Sequence, residues 1–332
     1  MKSCSRPGLV FTISLVLTTV GCGTSQPVRN ETYYLVATNI KLPYWQSALA
    51  GLNRAASQLG VKAKLVGPDT YQPGAQHEEF QHILQQNPHG ILISVGDRRL
   101  MRADIDQAIA KGIPVFTIDS DAEYSKRLLF IGTDNFKLGT IIGNTVAHTQ
   151  NGKGNIVVFT MPEQLNLVQR LDGLNAELSK NPRLKVTRIV DMQGDPRVAF
   201  DMTKQILDQS AASVDVFVCL EAIACSEVAE VLSRQKVSGK LVIAMDTDPR
   251  TLEWIKKGFI SATMAQKPFT MAYVGLRMLV DLNQVKLAAL DRPWSSSSIS
   301  PIPTFVDTGV TLVNSENVDR FINEIESAGR TQ

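Results

Sequence analysis

The sequence predicts an α/β protein built from two doubly wound parallel-sheet lobes that are joined by a three-segment hinge. Short apolar, β-branched runs alternate with helical patterns, and this alternation starts again near residue 155. The runs follow one another at 29, 28 and 24 residues in the first half and at 30, 29 and 26 in the second. Fully apolar strands that alternate with helices are typical of a parallel sheet covered on both faces.

The expected helices and strands follow in order along each half. Helical spacing covers Tyr44–Leu59 and Leu100–Lys111, and each pattern ends at a glycine, which is the usual residue after a helix. The strands are expected to begin near Tyr33, Lys62, Gly90, Pro114 and Leu129 in the first half, and near Asn155, Lys185, Val214, Lys240 and Ala262 in the second.

The last part of the chain departs from this pattern. A helix over Pro268–Asn283, a strand over Val310–Val313 and a helix over Glu316–Ala328 are expected there. If the first of these helices returns to the first lobe, the chain passes between the two lobes three times. Two lobes joined by such a hinge can close around a ligand. The expected lobes are residues 33–133 plus 267–306 and residues 134–266 plus 307–332, with crossings near Thr133–Asp134, Ala265–Lys267 and Asp307–Gly309.

The first 22 residues have the pattern of an export signal. Lys2 and Arg6 precede an apolar run of 12 residues, Leu9–Val20, which is too short to span a bilayer but typical of a secretory signal. The next residues, Gly21-Cys22, complete a segment that resembles a bacterial lipobox, whose cysteine receives a lipid; ordinary cleavage near the same place is the alternative. We therefore expect residues 1–22 to be a signal peptide of the lipoprotein type, with Cys22 lipidated, and residues 23–32 to be a tether.

Composition and charge exclude several classes of protein. With 44% hydrophobic and 20% charged residues, the chain is neither disordered, nor a coiled coil, nor a polytopic membrane protein. The formal net charge of the whole chain is +2, and loss of Lys2 and Arg6 with the signal leaves it neutral. A neutral chain is a poor partner for nucleic acid, so we expect none.

Two cysteines remain after the signal segment. Cys219 and Cys225 are six residues apart, and an oxidising compartment would allow a disulfide between them. Because Cys219 lies in an apolar strand run, the sequence favours a buried free thiol over the disulfide.

The fourth strand of each half runs into the same kind of acidic turn. Asp119-Ser120-Asp121 follows one strand and Asp246-Thr247-Asp248 follows the other. Ligands of open parallel sheets bind outside the carboxyl ends of the strands. We therefore expect ligand contacts from Asp119 and Asp246, and helix capping from Asp121 and Asp248.

Motifs for cofactors, metals and hydrolysis are missing from the sequence. The first turn of each half has no glycine to admit a phosphate, and there is no HExxH, GxSxG or spaced CxxC pair. We expect no cofactor and no metal. Asp119 and Asp246 would be the two carboxylates of an exported glycosidase, which is the enzyme alternative.

An aromatic pair stands at the expected start of the first helix. Tyr44 and Trp45 follow Pro43. Aromatic rings cover the apolar face of a sugar ring, and carboxylates, guanidinium groups and amides hydrogen-bond its hydroxyls. Core packing at the helix start is the alternative for this pair.

Six motifs occur in an order and spacing that resemble one protein family. They are Pro43-Tyr44-Trp45, GIPVFTIDSD (112–121), FIGTDNFKLG (130–139), Arg170-x-x-Gly173, AMDTDP (244–249) and ATMAQKP (262–268). With them, the chain from Tyr33 to about Val313 resembles the type I periplasmic sugar-binding proteins of the ribose-binding group.

The resemblance implies a set of ligand-binding residues. The family's stacking aromatics fall on Tyr44 and Trp45, its carboxylates on Asp119 and Asp246, its second-lobe arginine on Arg170 and its hinge amide on Gln266. Three positions depart from the family pattern, because Leu42, Ser120 and Leu220 stand where polar residues are usual. Lys41 and Glu221 are the nearest candidates to replace the lost polar contacts.

The resemblance also implies a function. It predicts an extracytoplasmic solute-binding protein that takes a monosaccharide or related polyol and delivers it to the membrane permease of an ABC importer. The protein would be a monomer in the periplasm or at the cell surface, anchored by lipid. A sugar-sensing subunit of a membrane receptor is the alternative in the same binding class.

Overall fold

The computed structural model describes residue 1 and residues 30–285, 289–292, 294 and 297–330, with side chains up to residue 325. The expected signal peptide, Cys22 and most of the expected tether lie outside these residues. Among the described helices, none combines the length and the apolar character that a membrane crossing requires.

Two six-stranded sheets form the framework, as the sequence predicts. All neighbouring strands are parallel except the last pair of the second sheet, β10 and β12. The first sheet has the order β11 (Phe305–Asp307), β5 (Leu129–Gly132), β4 (Val115–Ile118), β3 (Gly90–Ile93), β1 (Thr32–Val36) and β2 (Lys62–Val66). The second has the order β12 (Thr311–Asn314), β10 (Ala262–Ala265), β9 (Leu241–Met245), β8 (Val216–Cys219), β6 (Lys153–Thr160) and β7 (Arg183–Asp191).

Helices cover the faces of both sheets. Four pack with the first sheet: α1 (Pro43–Leu59), α2 (Pro73–Gln85), α3 (Arg98–Ala110) and α9 (Pro268–Val285). Six pack with the second: α4 (Asn135–Thr149), α5 (Leu165–Leu178), α6 (Pro196–Ser210), α7 (Ala224–Arg234), α8 (Pro249–Lys256) and α10 (Val318–Arg330).

Each sheet has its own hydrophobic core. The central strands β3 and β8 are buried along their whole length, whereas β2 at the sheet edge is partly exposed. Phe116 in the first core and Phe217 in the second have no exposed surface. Two separate cores mean that each lobe buries its own apolar residues and does not depend on the other for its packing.

The chain passes between the two lobes three times: from β5 to α4, from β10 to α9 and from β11 to β12. The two helices that follow a crossing pack unusually close to a neighbour. A Cβ added at Gly173 would lie 2.0 Å from the carbonyl oxygen of Phe136, and one at Gly51 would lie 2.1 Å from that of Phe269. Only glycine allows these approaches, which press α5 onto α4 and α1 onto α9.

The expected capping roles hold for one acidic turn and fail for the other. Asp248 accepts a hydrogen bond from the amide of Arg250 and caps α8, as predicted. The capping role predicted for Asp121 is wrong, because β5 follows β4 with no helix between them. Its carboxylate instead pairs with the guanidinium of Arg127 at 2.6 Å.

Candidate ligand-binding cleft

A cleft of about 580 Å³ lies between the lobes, at the carboxyl ends of the strands of both sheets. Seven of the eight binding residues expected from the sequence line it: Tyr44, Trp45 and Asp119 from the first lobe, and Arg170, Glu221, Asp246 and Gln266 from the second lobe and its hinge.

Lys41, the eighth, is not among the lining residues. Its side chain is 68% exposed, and its ammonium lies 3.7 Å from a carboxylate oxygen of Asp69 at the surface. Lys41 precedes α1 by two positions, and its backbone amide donates to the side-chain oxygen of Asn39 at 3.2 Å. The expectation that Lys41 replaces a lost polar contact is therefore not supported by its position.

Asp119 and Asp246 occupy equivalent turns of the two lobes. Both have left-handed backbone angles, with φ of 65° and 62°. In each, the backbone amide donates to a carbonyl of the next strand: Asp119 to Ile131 at 3.0 Å and Asp246 to Met264 at 2.9 Å. A left-handed conformation is uncommon for residues with a side chain, and such residues cluster at functional sites. Here each turn brings one carboxylate to the cleft.

Polar groups of the first lobe hold Asp119 in place. Its carboxylate accepts hydrogen bonds from the hydroxyl of Tyr44 at 2.8 Å and from that of Ser94 at 3.0 Å. Burial raises the pKa of Asp119, and the charge of Arg170 and these two donors oppose that rise. Burial, followed by the nearby Asp119 charge, raises the pKa of Tyr44 as well, so Tyr44 acts as a hydroxyl donor.

Trp45 has two environments at once. Only 2% of its surface is exposed, and it belongs to the core of the first lobe while also lining the cleft. Its ring meets the edge of the Tyr44 ring, with centroids 5.1 Å apart and planes at 79°. Both the core packing and the cleft position considered for this pair are therefore present.

Arg170 is the centre of a hydrogen-bond network that reaches the hinge. Its guanidinium donates to Asn135 at 2.8 Å, to the carbonyl of Leu220 at 2.7 Å and to the side-chain oxygen of Gln266 at 2.9 Å. Gln266 in turn donates to the Thr133 hydroxyl at 3.0 Å, which joins two of the three crossings. Since a guanidinium has five N–H groups, two remain for a ligand.

Glu221 lies shortly before α7. It follows Leu220, one of the three positions that depart from the family pattern. Its two carboxylate oxygens accept hydrogen bonds from the amides of Ile223 at 2.7 Å and Ala224 at 3.0 Å. Burial raises the pKa of Glu221 to about 7, against the lowering effect of these amides. Burial likewise raises the pKa of Asp246 to about 7, although the charge of Arg170 lowers it.

These raised pKa values predict a pH-dependent stability. A carboxyl group whose pKa is higher in the folded than in the unfolded chain stabilises the fold when protonated. For Glu221 this contribution is complete below its usual pKa of 4.5 and is lost as the pH rises through about 7. The ligand-free protein should therefore have a lower free energy of unfolding at pH 8 than at pH 5, and Glu221→Gln should reduce that difference.

Urea unfolding of both proteins at the two pH values measures this effect. An equal decrease in the wild-type protein and in Glu221→Gln would contradict it.

Cys219 and Cys225 form a disulfide, so the expectation of a buried free thiol is wrong. Their Cα atoms are 5.8 Å apart, since β8 ends and α7 begins on either side of a short loop. Such a distance suits a disulfide. The bond closes the loop that carries Leu220, Glu221 and Ile223 into the site.

The lobes also meet across the cleft at residues that sequence reasoning missed. Tyr71 follows β2 in the first lobe, and its hydroxyl donates to the carbonyl of Gly96 at 2.8 Å. Its ring packs against the second lobe, where a Cβ at Gly194 would lie 2.6 Å from the Cβ of Tyr71. Asn39, Tyr71, Met161, Gln164, Asn166 and Gly194 all line the cleft. Each lies in the loop after a strand or, for Asn166, in the first turn of the helix that follows, and this position is the sequence signal for them.

The chemistry of the cleft is that of a hydrogen-bonding site for a hydroxyl-rich molecule. Buried carboxylates accept hydrogen bonds, while Arg170 and Tyr44 donate them. Within the described residues, no group of three or more His, Cys, Asp or Glu side chains is arranged to hold a metal ion.

Known proteins share this fold over nearly the whole chain. The ribose import binding protein RbsB of Bacillus subtilis is 25% identical over 272 residues, which cover 78% of this chain and 87% of RbsB. The arabinose-binding protein AraP of Geobacillus stearothermophilus is 30% identical, with a TM-score of 0.73 over 88% of this chain and 99% of AraP.

A second solved structure contains a sugar. A solute-binding protein of an ABC transporter from Burkholderia graminis, in complex with D-arabinose, is 26% identical, with a TM-score of 0.79 over 88% of this chain and 98% of that protein. Residues 33–286 match the periplasmic binding protein domain, so the chain belongs to this family of binding proteins, which are not enzymes.

Proposed function

We propose that this protein captures a monosaccharide or related polyol between its lobes and delivers it to the permease of an ABC importer. The observation that carries the proposal is the cleft itself, where buried donors and acceptors from both lobes converge. Membership of the periplasmic binding protein family places the function outside the cytoplasm. Import is preferred to sensing because the relative RbsB is an import binding protein.

The proposed binding mode assigns a role to each lining residue. Asp119 and Asp246 accept hydrogen bonds from sugar hydroxyls, Arg170 and Gln266 contribute donors, and the Tyr44 oxygen, whose proton goes to Asp119, accepts. Trp45 covers an apolar face of the ring. Because these groups belong to different lobes, a ligand that contacts all of them favours the closed arrangement over an open one. The resemblance to the family supports this binding mode. Glu221 also lines the cleft.

The same proposal covers the attachment and the assembly state. We propose that Cys22 carries a lipid, so that a monomeric binding protein stays close to the membrane that holds its permease. Support for the lipid comes from the lipobox-like sequence before Cys22.

A thermal-shift panel of pentoses and hexoses tests the proposed function. A ligand at 100 times its Kd stabilises the native state by about 2.7 kcal/mol, so a true ligand should raise the Tm by several degrees. Titration calorimetry should then show that Asp246→Asn weakens binding of that sugar. Asp248→Asn is the matched control, because it changes an acid two residues away and asparagine also caps a helix.

If no sugar raised the Tm, the proposed function would be contradicted. If Asp246→Asn bound the sugar as tightly as Asp248→Asn does, the proposed role of Asp246 would be contradicted.

A further inference from the structure

A second cavity borders the cleft and is unexplained by a monosaccharide. This side groove measures about 1450 Å³, against about 580 Å³ for the cleft. The cleft and the side groove share six lining residues: Leu42, Tyr44, Ala222, Ile223, Asp246 and Gln266. They therefore lie side by side, with Asp246 facing both.

Much of the wall of the side groove is apolar, and its residues come from both lobes. Prolines at the starts of four helices and three larger apolar side chains contribute to it: Pro43, Pro268 and Phe269 from the first lobe, and Pro196, Pro249, Phe321 and Ile325 from the second. Ile325 is 48% exposed, which is high for a large apolar residue beside a ligand cleft. An apolar surface of this kind beside a binding cleft favours an apolar ligand group.

Three charged groups of the side groove, Arg250, Glu227 and Asp248, are paired within the protein, whereas Lys267 and Asp246 also line it. Arg250 contacts a carboxylate oxygen of Glu227 at 2.8 Å, and Asp248 accepts a hydrogen bond from the amide of Arg250 at 2.9 Å. These three paired groups do not require a charged ligand. The larger part of the remaining lining is apolar.

We propose that the physiological ligand is a glycoside, whose sugar occupies the cleft and whose apolar aglycone occupies the side groove. This inference rests on the proposed function and narrows its substrate class. An aglycone in the groove contacts Phe269 of the first lobe and Phe321 of the second, so it adds apolar contacts to both sides of the closed arrangement. A free sugar leaves these side chains in contact with water.

Calorimetry with matched glycosides tests the inference. For each sugar of the thermal-shift panel, the methyl and phenyl glycosides of both anomers are titrated, because they share the linkage and differ in apolar bulk. At least one phenyl glycoside should bind about tenfold or more tightly than its methyl counterpart. Ile325→Ser and Phe321→Ser should each reduce that gain and leave binding of the methyl glycoside unchanged.

Ile189→Ser is the matched control, because Ile189 is 51% exposed and lies on β7, away from the groove. It should leave the gain intact. If free sugars bind but phenyl glycosides bind no more tightly than methyl glycosides, the inference is overturned. A gain that survives both Ile325→Ser and Phe321→Ser would also overturn it. If neither free sugars nor glycosides bind, the proposed function fails and the inference fails with it.

Discussion

Replacing Arg170 by glutamine is expected to weaken sugar binding by at least about 100-fold, or about 2.8 kcal/mol. The guanidinium is 2% exposed and has two N–H groups left after its bonds to Asn135, Leu220 and Gln266. Charge-assisted hydrogen bonds in a buried site are among the strongest that a neutral ligand makes. Removal of the positive charge also raises the pKa values of Asp119 and Asp246 further, since Arg170 lowers both.

Titration calorimetry measures the affinity, and the Tm of the ligand-free variant reports whether it folds. Arg54→Gln, on an exposed part of α1, is the control for a lost arginine and should bind normally. Arg170→Lys keeps the charge but not the planar fork, so it should bind with intermediate affinity. A folded Arg170→Gln protein with wild-type affinity would remove Arg170 from the proposed site.

Loss of the disulfide is expected to lower both stability and affinity. The closed loop is short, and a disulfide across such a loop stabilises a protein by about 2 kcal/mol in the chain-entropy description. The double variant Cys219→Ala/Cys225→Ala should therefore unfold at lower urea concentration. Its sugar affinity should fall as well, because the loop that holds Glu221 and the Leu220 carbonyl loses its constraint.

The disulfide itself can be tested by proteolysis. Cleavage after Glu221 falls between the two cysteines, so the fragments that contain Cys219 and Cys225 should stay linked until a reductant is added. Fragments that separate without reductant, together with unchanged stability of the double variant, would contradict the pairing.

Much of the fold is predictable because each strand and helix carries its own local signal. All ten strands expected in the two repeated halves are present. The central ones are marked by a continuous apolar run, which a fully buried strand requires. The short strand β11 was not anticipated. Its three residues, Phe305–Asp307, offer no periodicity, and it exists because β5 presents an open edge to pair with.

The site residues that lie at strand ends or in the family motifs are predictable from the sequence. The equivalent turns predict Asp119 and Asp246 at the cleft, and the family resemblance implies Arg170 there. The direction of the Lys41 side chain and the disulfide are not predictable from the sequence, because geometry in space decides them. Lys41 lies two residues before a helix that faces the cleft, yet its side chain points outward to Asp69.

The left-handed turns at Asp119 and Asp246 affect how mutagenesis of this protein should be interpreted. Aspartate and asparagine adopt this backbone conformation more readily than other residues with a side chain, whereas alanine there adds a conformational penalty of about 1 kcal/mol or more. An alanine scan would therefore mix a distorted main chain with a missing carboxylate. Asparagine preserves the turn, so it separates the contribution of charge from that of geometry in either half of the molecule.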